Sequence, residues 1–164
     1  MKKYKVVDNF LEEKHFIQLK DIMEGRIGKN INWFIHQGVS SDNTNDGYYF
    51  THLFYEHNLG ASHSYDTVSE LLKIIKPNVL IRIKGNLYPS TSKIIEHSKH
   101  TDFDFKHKGF IFYINTNDGF TKLKDGTKIK SVANRGLYFD SAVEHNSSTC
   151  TGNQPRININ INYI

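Results

Sequence analysis

The sequence predicts an α+β protein of mainly β structure, in which two helices pack outside a β-sandwich or jelly roll. Two segments have the 3.6-residue apolar period of amphipathic helices, and both lie before Pro77. After Pro77, apolar and polar residues alternate in one segment after another, as they do in half-buried strands. Helices followed by a run of strands are the order typical of such layered folds.

The N-terminal part, residues 1–77, contains both predicted helices. A short strand is expected over Tyr4 to Val7, followed by a helix that ends at Gly25. The second helix is expected to begin with Asp66 as its N-cap and to end at Pro77, because a proline disfavours helical backbone before it. The apolar faces consist of Phe16, Leu19, Ile22 and Met23 in the first helix and Val68, Leu71, Leu72 and Ile75 in the second.

Between these helices, two aromatic-rich strands are expected to flank a polar connection, Ser40 to Gly47. The polarity of this connection suggests a loop that closes over a bound substrate. The aromatic residues of the strands are expected to be core residues rather than a stacking platform; they are Trp33, Phe34, Tyr48, Tyr49, Phe50, Phe54 and Tyr55.

The predicted strands of residues 78–164 form the second part of the chain. They are "VLIRIKGNLY", "KIIEHSKHTDFDF", "GFIFYIN", "FTKLKDGTKIKSV", "GLYFD" and "PRINININ". Asp125-Gly126 predicts a tight hairpin turn inside the fourth of them. The length of 164 residues fits one domain, so residues 1–164 are expected to fold as a single unit.

Charge and cysteine content narrow the classes of function. The formal net charge is +4 and the pI is about 9.0, which allows an acidic partner such as nucleic acid, but the lysines are scattered and favour a solvated surface. Cys150 is the single cysteine and cannot form an internal disulfide. The sequence has no apolar run that predicts a signal peptide or membrane span, so a cytoplasmic location is expected.

A candidate metal site lies in the stretch "HSKHTDFDFKH". If this stretch is a strand, His100, Asp102 and Asp104 share one face, while Thr101, Phe103 and Phe105 share the other. His-x-Asp then places an imidazole and a carboxylate about 7 Å apart at their Cα atoms, which is close enough to chelate one ion. The pattern is common by itself and requires a third ligand from a distant strand, for which His145 is the candidate.

The final strand places a polar face near this candidate site. In "PRINININ", Arg156, Asn158 and Asn160 face one way, while the isoleucines between them face the other. Arg156 follows His145 by 11 residues and carries a planar fork that suits a carboxylate.

The combination of His-x-Asp, a distal histidine and an arginine soon after it resembles the Fe(II)/2-oxoglutarate-dependent oxygenases. The chain is most similar to the prolyl 4-hydroxylase-like branch, and in particular to its phage and marine-environmental members. The similarity extends over most of the chain, through "YKVVDNFLEEKHFIQL", "RIKGNLYPSTSKIIEHSKHTD", "GFIFYIN" and "RGLYFDSAVEH". It implies a double-stranded β-helix, or jelly roll, with the N-terminal helices packed outside.

The resemblance also implies a cofactor, a cosubstrate and a set of site residues. His100, Asp102 and His145 would hold Fe(II) as a two-histidine, one-carboxylate triad, and Arg156 would bind the distal carboxylate of 2-oxoglutarate. O2 would be the second cosubstrate.

The same resemblance assigns four further residues to the cosubstrate site. Tyr113 matches a tyrosine that helps to hold the distal carboxylate in prolyl hydroxylases. Asn86 and Tyr88 resemble an Asn-x-Tyr motif that contacts the cosubstrate in the nucleic-acid demethylase branch, where Asn158 also matches a polar position.

The implied activity is hydroxylation of a peptide, a protein or an amino acid. Two alternatives remain open: an oxidative demethylase or hydroxylase of a nucleobase, and a non-catalytic metal-binding jelly-roll module. If the chain is phage-encoded, the host cytoplasm is the expected location.

Several polar residues are expected to have ordinary roles. His97 and His107 are expected to be solvated, and Asp104 is expected to cap a turn rather than face substrate. Arg82 and Lys84 share a strand face, where each is either a solvated charge or a substrate contact. Structural or exposed positions are expected for His36, His52, His57 and His63.

Overall fold

The computed structural model describes residues 4–26, 28, 30–39 and 47–164. The helices in these ranges are α1 (Glu13–Met23) and α2 (Ser69–Ile75), and a 3₁₀ turn (Tyr65–Val68) precedes α2. The first strands are β1 (Tyr4–Val7), β2 (Phe34–Gln37), β3 (Tyr48–Glu56), β4 (Leu59–Gly60) and β5 (Leu80–Tyr88). They are followed by β6 (Lys108–Tyr113), β7 (Phe120–Leu123), β8 (Lys128–Lys130), β9 (Arg135–Phe139), β10 (His145–Ser147) and β11 (Arg156–Tyr163).

Two antiparallel sheets form the β structure. The larger sheet has eight strands in the order β1-β9-β6-β11-β5-β3-β2, with β4 paired to β3 outside this path. The smaller sheet has the order β10-β7-β8. The N-terminal part of the chain therefore contributes strands as well as helices, since β1 to β4 all belong to the larger sheet.

Strand β11 has one apolar face and one polar face. Its isoleucines, Ile157, Ile159 and Ile161, are buried in the main apolar core together with α1 and α2 residues such as Met23 and Leu71. The alternating positions of a strand point to opposite faces, so the asparagines between the isoleucines face the smaller sheet. The apolar pattern of the sequence thus places a polar wall inside the jelly roll.

The C-terminal ends of both helices lie where the sequence predicts them, whereas the N-terminus of α2 does not. Gly25 has a φ of 73° just after α1, and Lys76 has left-handed backbone before Pro77, as expected for chain reversal at helix ends. The prediction that Asp66 is an N-cap is wrong, because Asp66 lies inside the 3₁₀ turn and α2 begins at Ser69 without a side-chain cap. At the predicted hairpin, β7 and β8 pair, and Gly126 has a φ of 87° in the turn.

One predicted strand does not form. Residues 93–107, the irregular segment, lie outside the named strands, and isolated bridges join Glu96 to Ser148 and His100 to His145 of β10. The expected apolar face is also absent there, since Phe105 is 44% exposed and Thr101 is exposed. This segment does not pair in a regular ladder, so its backbone is not held in a pleat. Alternation in its sequence therefore does not determine which side chains are buried.

The aromatic-rich region is only partly a core. Tyr49 and Phe54 are buried, but Phe34 and Tyr48 are more than half exposed, which corrects the prediction for these two residues. Strand β2 lies at the edge of the larger sheet, so one of its sides is uncovered. The predicted loop over 40–47 falls outside the described residues, except for Gly47. In the described part of the chain, no helix is long and apolar enough to cross a membrane.

Candidate active site

The three predicted metal ligands come together between the irregular segment and β10. One ligand atom of each of His100, Asp102 and His145 lies within 4.8 Å of the other two. The backbones of His100 and His145 exchange two N–H···O bonds of 2.9 Å, and Asp102 N donates to Ser141 O at 3.2 Å. These backbone bonds bring side chains that are up to 45 residues apart in sequence into one small volume.

Both imidazoles are oriented through one ring nitrogen. His100 Nδ1 lies 3.4 Å from Ser98 O, and His145 Nδ1 lies 3.1 Å from Val143 O. A carbonyl can only accept, so Nδ1 carries a proton in each ring and Nε2 is the nitrogen left for a metal. Burial lowers the pKa of His100, and the neighbouring His145 lowers it further, which favours the neutral, metal-binding form.

The Asp102 carboxylate is held by donors from two strands. Asn162 Nδ2 donates to Oδ2 at 2.8 Å, Asn160 Nδ2 donates to the same oxygen at 3.1 Å, and Arg82 Nη2 lies 3.5 Å from Oδ1. Burial would raise the pKa of Asp102, but His145, Arg82 and the two asparagines outweigh burial and set it at about 2. The carboxylate is therefore ionised, and its orientation is fixed by residues of β5 and β11.

This donor set fits a divalent transition metal. Two neutral imidazoles and one carboxylate on one side of an ion leave its remaining positions open, which is the arrangement of non-haem Fe(II) sites. Partners that orient metal-binding side chains are typical of working metal sites, and all three residues have them here.

Arg156 is fully buried on the same polar wall. Its Nε donates to Ser131 Oγ at 2.8 Å, and Nη2 donates to Thr121 Oγ1 at 3.1 Å. Among the described residues, no carboxylate lies within 4 Å of the guanidinium. Gly119 makes room for the side chain, since a Cβ at that position would lie 2.6 Å from Arg156 Cδ. A buried cation with hydroxyl partners and no counter-ion is suited to an anionic ligand.

A small cleft joins Arg156 to the metal-ligand cluster. Of the residues predicted to contact a cosubstrate, Asn86, Tyr88 and Asn158 line this cleft together with Arg156, His100 and His145. Asn86 Nδ2 donates to Asn158 Oδ1 at 3.1 Å, while the buried Oδ1 of Asn86 has no partner among the described residues. Tyr113 lies beneath the cleft: its hydroxyl donates to Thr121 Oγ1 at 2.9 Å. The sequence-predicted residues therefore occupy one neighbourhood.

Sequence reasoning missed several residues of this neighbourhood. Thr121 and Ser131 contact Arg156 from the smaller sheet and the turn after it, and no local pattern marked them. Asn160 and Asn162 both donate to Asp102, and the sequence pattern could have indicated this, because both residues continue the polar face of β11. For Arg82, the sequence allows a solvated charge or a substrate contact, whereas in the structure Arg82 lies against Asp102.

Two histidine predictions are wrong. His97 is 5% exposed, with Nδ1 2.8 Å from Ser147 Oγ, and its ring stacks on Tyr88 at 5.3 Å. His107 is 4% exposed, with Nδ1 2.7 Å from Phe105 O. Both are covered because the irregular segment folds back on the sheets instead of running along them. Asp104 is exposed, as expected for a residue outside the site.

The remaining histidines lie apart from the cluster. His52 is buried, with Nδ1 2.7 Å from Asn32 O and Nε2 3.0 Å from Ser62 Oγ, which is a structural role. The exposed ones are His36, His57 and His63.

Comparison with known proteins yields structural matches alone. No family model matches the chain, and no curated protein matches it in sequence. A viral collagen prolyl hydroxylase from Paramecium bursaria Chlorella virus-1, solved with 2-oxoglutarate, has 12% identity and a TM-score of 0.63 over 99% of this chain and 97% of that chain. A 2-oxoglutarate-Fe(II) oxygenase-family oxidoreductase from Burkholderia pseudomallei has 9% identity and a TM-score of 0.70 over 98% and 84% of the respective chains.

A third similar structure contains a peptide. It is a prolyl hydroxylase from Trichoplax adhaerens in complex with a fragment of the hypoxia-inducible-factor oxygen degradation domain, with 13% identity and a TM-score of 0.64 over 99% of this chain and 83% of that chain. At such identities the likeness concerns the fold. The predicted jelly roll with outer helices is confirmed, and it is the fold of these oxygenases.

Proposed function

We propose that this protein is an Fe(II)- and 2-oxoglutarate-dependent dioxygenase that hydroxylates a peptide, a protein or an amino acid. One observation carries the proposal: His100 and His145, which cluster with Asp102, line a cleft together with the fully buried Arg156, and Arg156 has no counter-ion among the described residues. A metal site alone would fit many functions. A metal site beside a buried, unpaired guanidinium fits a metal-binding cosubstrate with a distant carboxylate.

The chain's own residues would divide the work between them. His100, Asp102 and His145 would hold Fe(II), which supplies O2 activation coupled to conversion of 2-oxoglutarate into succinate and CO2, with an oxygen atom added to the substrate. Arg156 would pair with the distal carboxylate of 2-oxoglutarate through its fork.

Other cleft residues would orient the cosubstrate. Thr121 and Tyr113 would support the arginine and its anion, since their hydroxyls are linked at 2.9 Å. Asn86, Tyr88 and Asn158 would form the wall beside it. Enclosure by these buried residues would exclude water and strengthen each electrostatic contact.

The class of substrate is supported by the structural neighbours. One neighbour is a prolyl hydroxylase solved with a peptide fragment, and another is described as a collagen prolyl hydroxylase. We therefore propose a peptide, protein or amino-acid substrate, with residues 1–164 acting as one domain. The free Cys150 is compatible with a cytoplasmic location.

The proposal is tested by loading the protein with Fe(II) and 2-oxoglutarate without oxygen. A visible charge-transfer band of the chelate is expected in the wild type. The Arg156→Lys variant should form the band with Fe(II), but it should need about tenfold more 2-oxoglutarate, because lysine cannot make the paired contacts of a guanidinium. Circular dichroism would confirm that the variant is folded.

Succinate release then tests turnover and substrate class. Prolyl peptides, free amino acids and methylated oligonucleotides would be added to the loaded protein in air. Stimulation by a peptide or amino acid is expected. Stimulation by oligonucleotides alone would instead favour nucleobase oxidation. A well-folded wild-type protein without the charge-transfer band would contradict the oxygenase proposal.

A further inference from the structure

A second cation, Lys84, lies on the polar wall of the site. It occupies the centre of β5, and it shares a strand face with Asn86 and Tyr88, which both line the cleft. Its partner across β11 is Asn160, whose side chain donates to Asp102. Lys84 thus lies directly opposite Asn160, which contacts Asp102 of the metal-ligand cluster.

The positive charge of Lys84 has no carboxylate in contact with it in the described part of the chain, although Asp102 and Glu56 act on it at longer range. Its Nζ lies 3.4 Å from Tyr49 OH and 5.7 Å from the centre of that ring. Burial raises the pKa of Tyr49 far above its usual range, so the phenol is neutral and does not balance the charge. No described carboxylate lies within 4 Å of Nζ.

Lys84 nevertheless remains largely protonated at neutral pH. Burial and the charge of Arg82 lower its pKa to about 8, against the opposing effect of the Asp102 and Glu56 carboxylates. A partly buried ammonium that no carboxylate contacts is unfavourable by itself. An anion that binds there would remove this cost.

The neighbouring Arg82 is different because its charge is matched. Its Nη2 lies 3.5 Å from Asp102 Oδ1 and donates to Asn162 Oδ1 at 3.2 Å, and its guanidinium lies 4.7 Å from the centre of the Phe103 ring. Of the two cations that share this face of β5, Lys84 is the one that no described carboxylate contacts.

Lys84 and Arg156 belong to separate parts of the wall. Arg156 pairs with Tyr88 across the sheet, while Lys84 pairs with Asn160. These two cross-strand pairs are four residues apart, or about 13 Å along the strands. The anion that Arg156 would hold is therefore distinct from an anion at Lys84.

We propose that Lys84 binds a carboxylate of the primary substrate and selects substrates that carry one. This inference rests on the proposed function, and it narrows the substrate class to acidic molecules. The carboxylate would belong either to a free amino acid or to an acidic peptide side chain. In both cases the pairing would place the substrate beside Asn160 and the metal-ligand cluster.

The test compares carboxylate probes with their neutral amides. The protein is loaded with Mn(II), as a redox-inert metal, and saturated with 2-oxoglutarate. Binding is measured by ligand-observed NMR for three matched pairs: L-proline and L-prolinamide, benzoate and benzamide, and two acetylated peptide amides that differ as Glu and Gln. The first pair represents the amino-acid source and the last pair represents the peptide source.

We expect the wild type to bind at least one carboxylate probe about tenfold more tightly than its amide, as one charge-assisted contact predicts. Lys84→Met should abolish this preference without changing the affinity for the amide, and Lys84→Arg should restore most of it. Lys108→Met, at an exposed lysine of β6, is the matched control and should behave as the wild type.

Three results would overturn the inference: no carboxylate preference in the wild type, a preference that persists in Lys84→Met, or weaker 2-oxoglutarate binding as the sole effect of Lys84→Met. The last result would mean that Lys84 serves the cosubstrate. The charge-transfer band of the Fe(II)–2-oxoglutarate protein is read separately. If the band is absent, the proposed function has failed; if it forms without a carboxylate preference, only the role of Lys84 has failed.

Discussion

Two regions supply the candidate site, and they are built in opposite ways. Strand β11 lies inside the larger sheet, pairs with β5 and β6, and is buried at all eight positions. The irregular segment 93–107 lies outside the named strands, and isolated bridges attach its Glu96 to Ser148 and its His100 to His145. One region is fixed by ladders on both sides, and the other is fixed by a few contacts.

Alternation in the sequence predicts burial correctly where neighbouring strands hold the backbone in a pleat. Along β11, neighbouring strands hold every residue in the pleat, so isoleucine and asparagine keep to their own faces. In the irregular segment the backbone bends, and exposed Phe105 and buried His107 reverse the predicted pattern. His100 and Asp102 still meet because hydrogen bonds to His145 and Ser141 place them individually.

The largest expected effect is the loss of the one anionic ligand from the irregular segment. Asp102→Ala should lower the affinity for Fe(II) or Mn(II) by about 100-fold or more, because outer-shell changes alone typically cost 10–100-fold. Asp104→Ala, two residues away and exposed, is the control and should bind metal normally. Metal titration under anaerobic conditions measures both, and equal affinities in the two variants would refute the ligand assignment.

A core substitution tests whether stability resides in the ladder-bound region. Ile159 of β11 is fully buried, so Ile159→Ala should reduce the free energy of unfolding by about 2–5 kcal/mol. Phe105→Ala, in the irregular segment at a 44% exposed site, should change it by less than about 1 kcal/mol. Urea unfolding compares the two. A larger loss from Phe105→Ala would show that the irregular segment is packed more tightly than its exposure indicates.

A third substitution tests how β11 supports the irregular segment. Asn162→Ala removes the 2.8 Å donor to Asp102 Oδ2 and should weaken metal binding by about tenfold. Asn162→Gln, which keeps an amide, should recover part of the affinity. If Asn162→Ala binds metal as the wild type does, Asn160 and Arg82 are sufficient to orient the carboxylate.

The smallest effect concerns a surface tether of the irregular segment. Hydrogen bonds from Lys122 and then from Lys128 lower the pKa of Glu96 from 4.5 to about 2. Because the pKa is lowered in the folded state, the contribution of Glu96 to stability is complete above pH 4.5 and is lost as the pH falls towards 2.

This contribution should be below about 1 kcal/mol, since the ion pairs are exposed to solvent. Urea unfolding of wild type and Glu96→Gln would measure it at pH 6 and at pH 3. The two proteins should differ more at pH 6. A difference independent of pH would assign the role of Glu96 to packing instead.

The fold was predictable because the spacing of apolar residues in the sequence matches the helices and strands of the structure. The helices α1 and α2, the β7–β8 hairpin and the two faces of β11 all follow from residue spacing. The candidate site was predictable where a short motif meets a distinct distal partner, as with His100, Asp102 and His145.

The rest could not be predicted because it arises from tertiary contacts. Thr121 and Ser131 reach Arg156 from distant positions, and hydroxyl residues of this kind are common on any β surface. The burial of His97 depends on how an irregular segment folds back against Tyr88. The unpaired state of Lys84 is a property of its surroundings rather than of its sequence.

The alternation of β11 also limits how this chain can vary in length. Inserting or deleting one residue within the strand would exchange its faces, turning three asparagines and Arg156 towards the helices and the isoleucines towards the cleft. The same change in the segment between β5 and His100 could be absorbed by its bends, provided that His100 still meets His145. Insertions and deletions in related chains are therefore expected before the first metal ligand and not within the final strand.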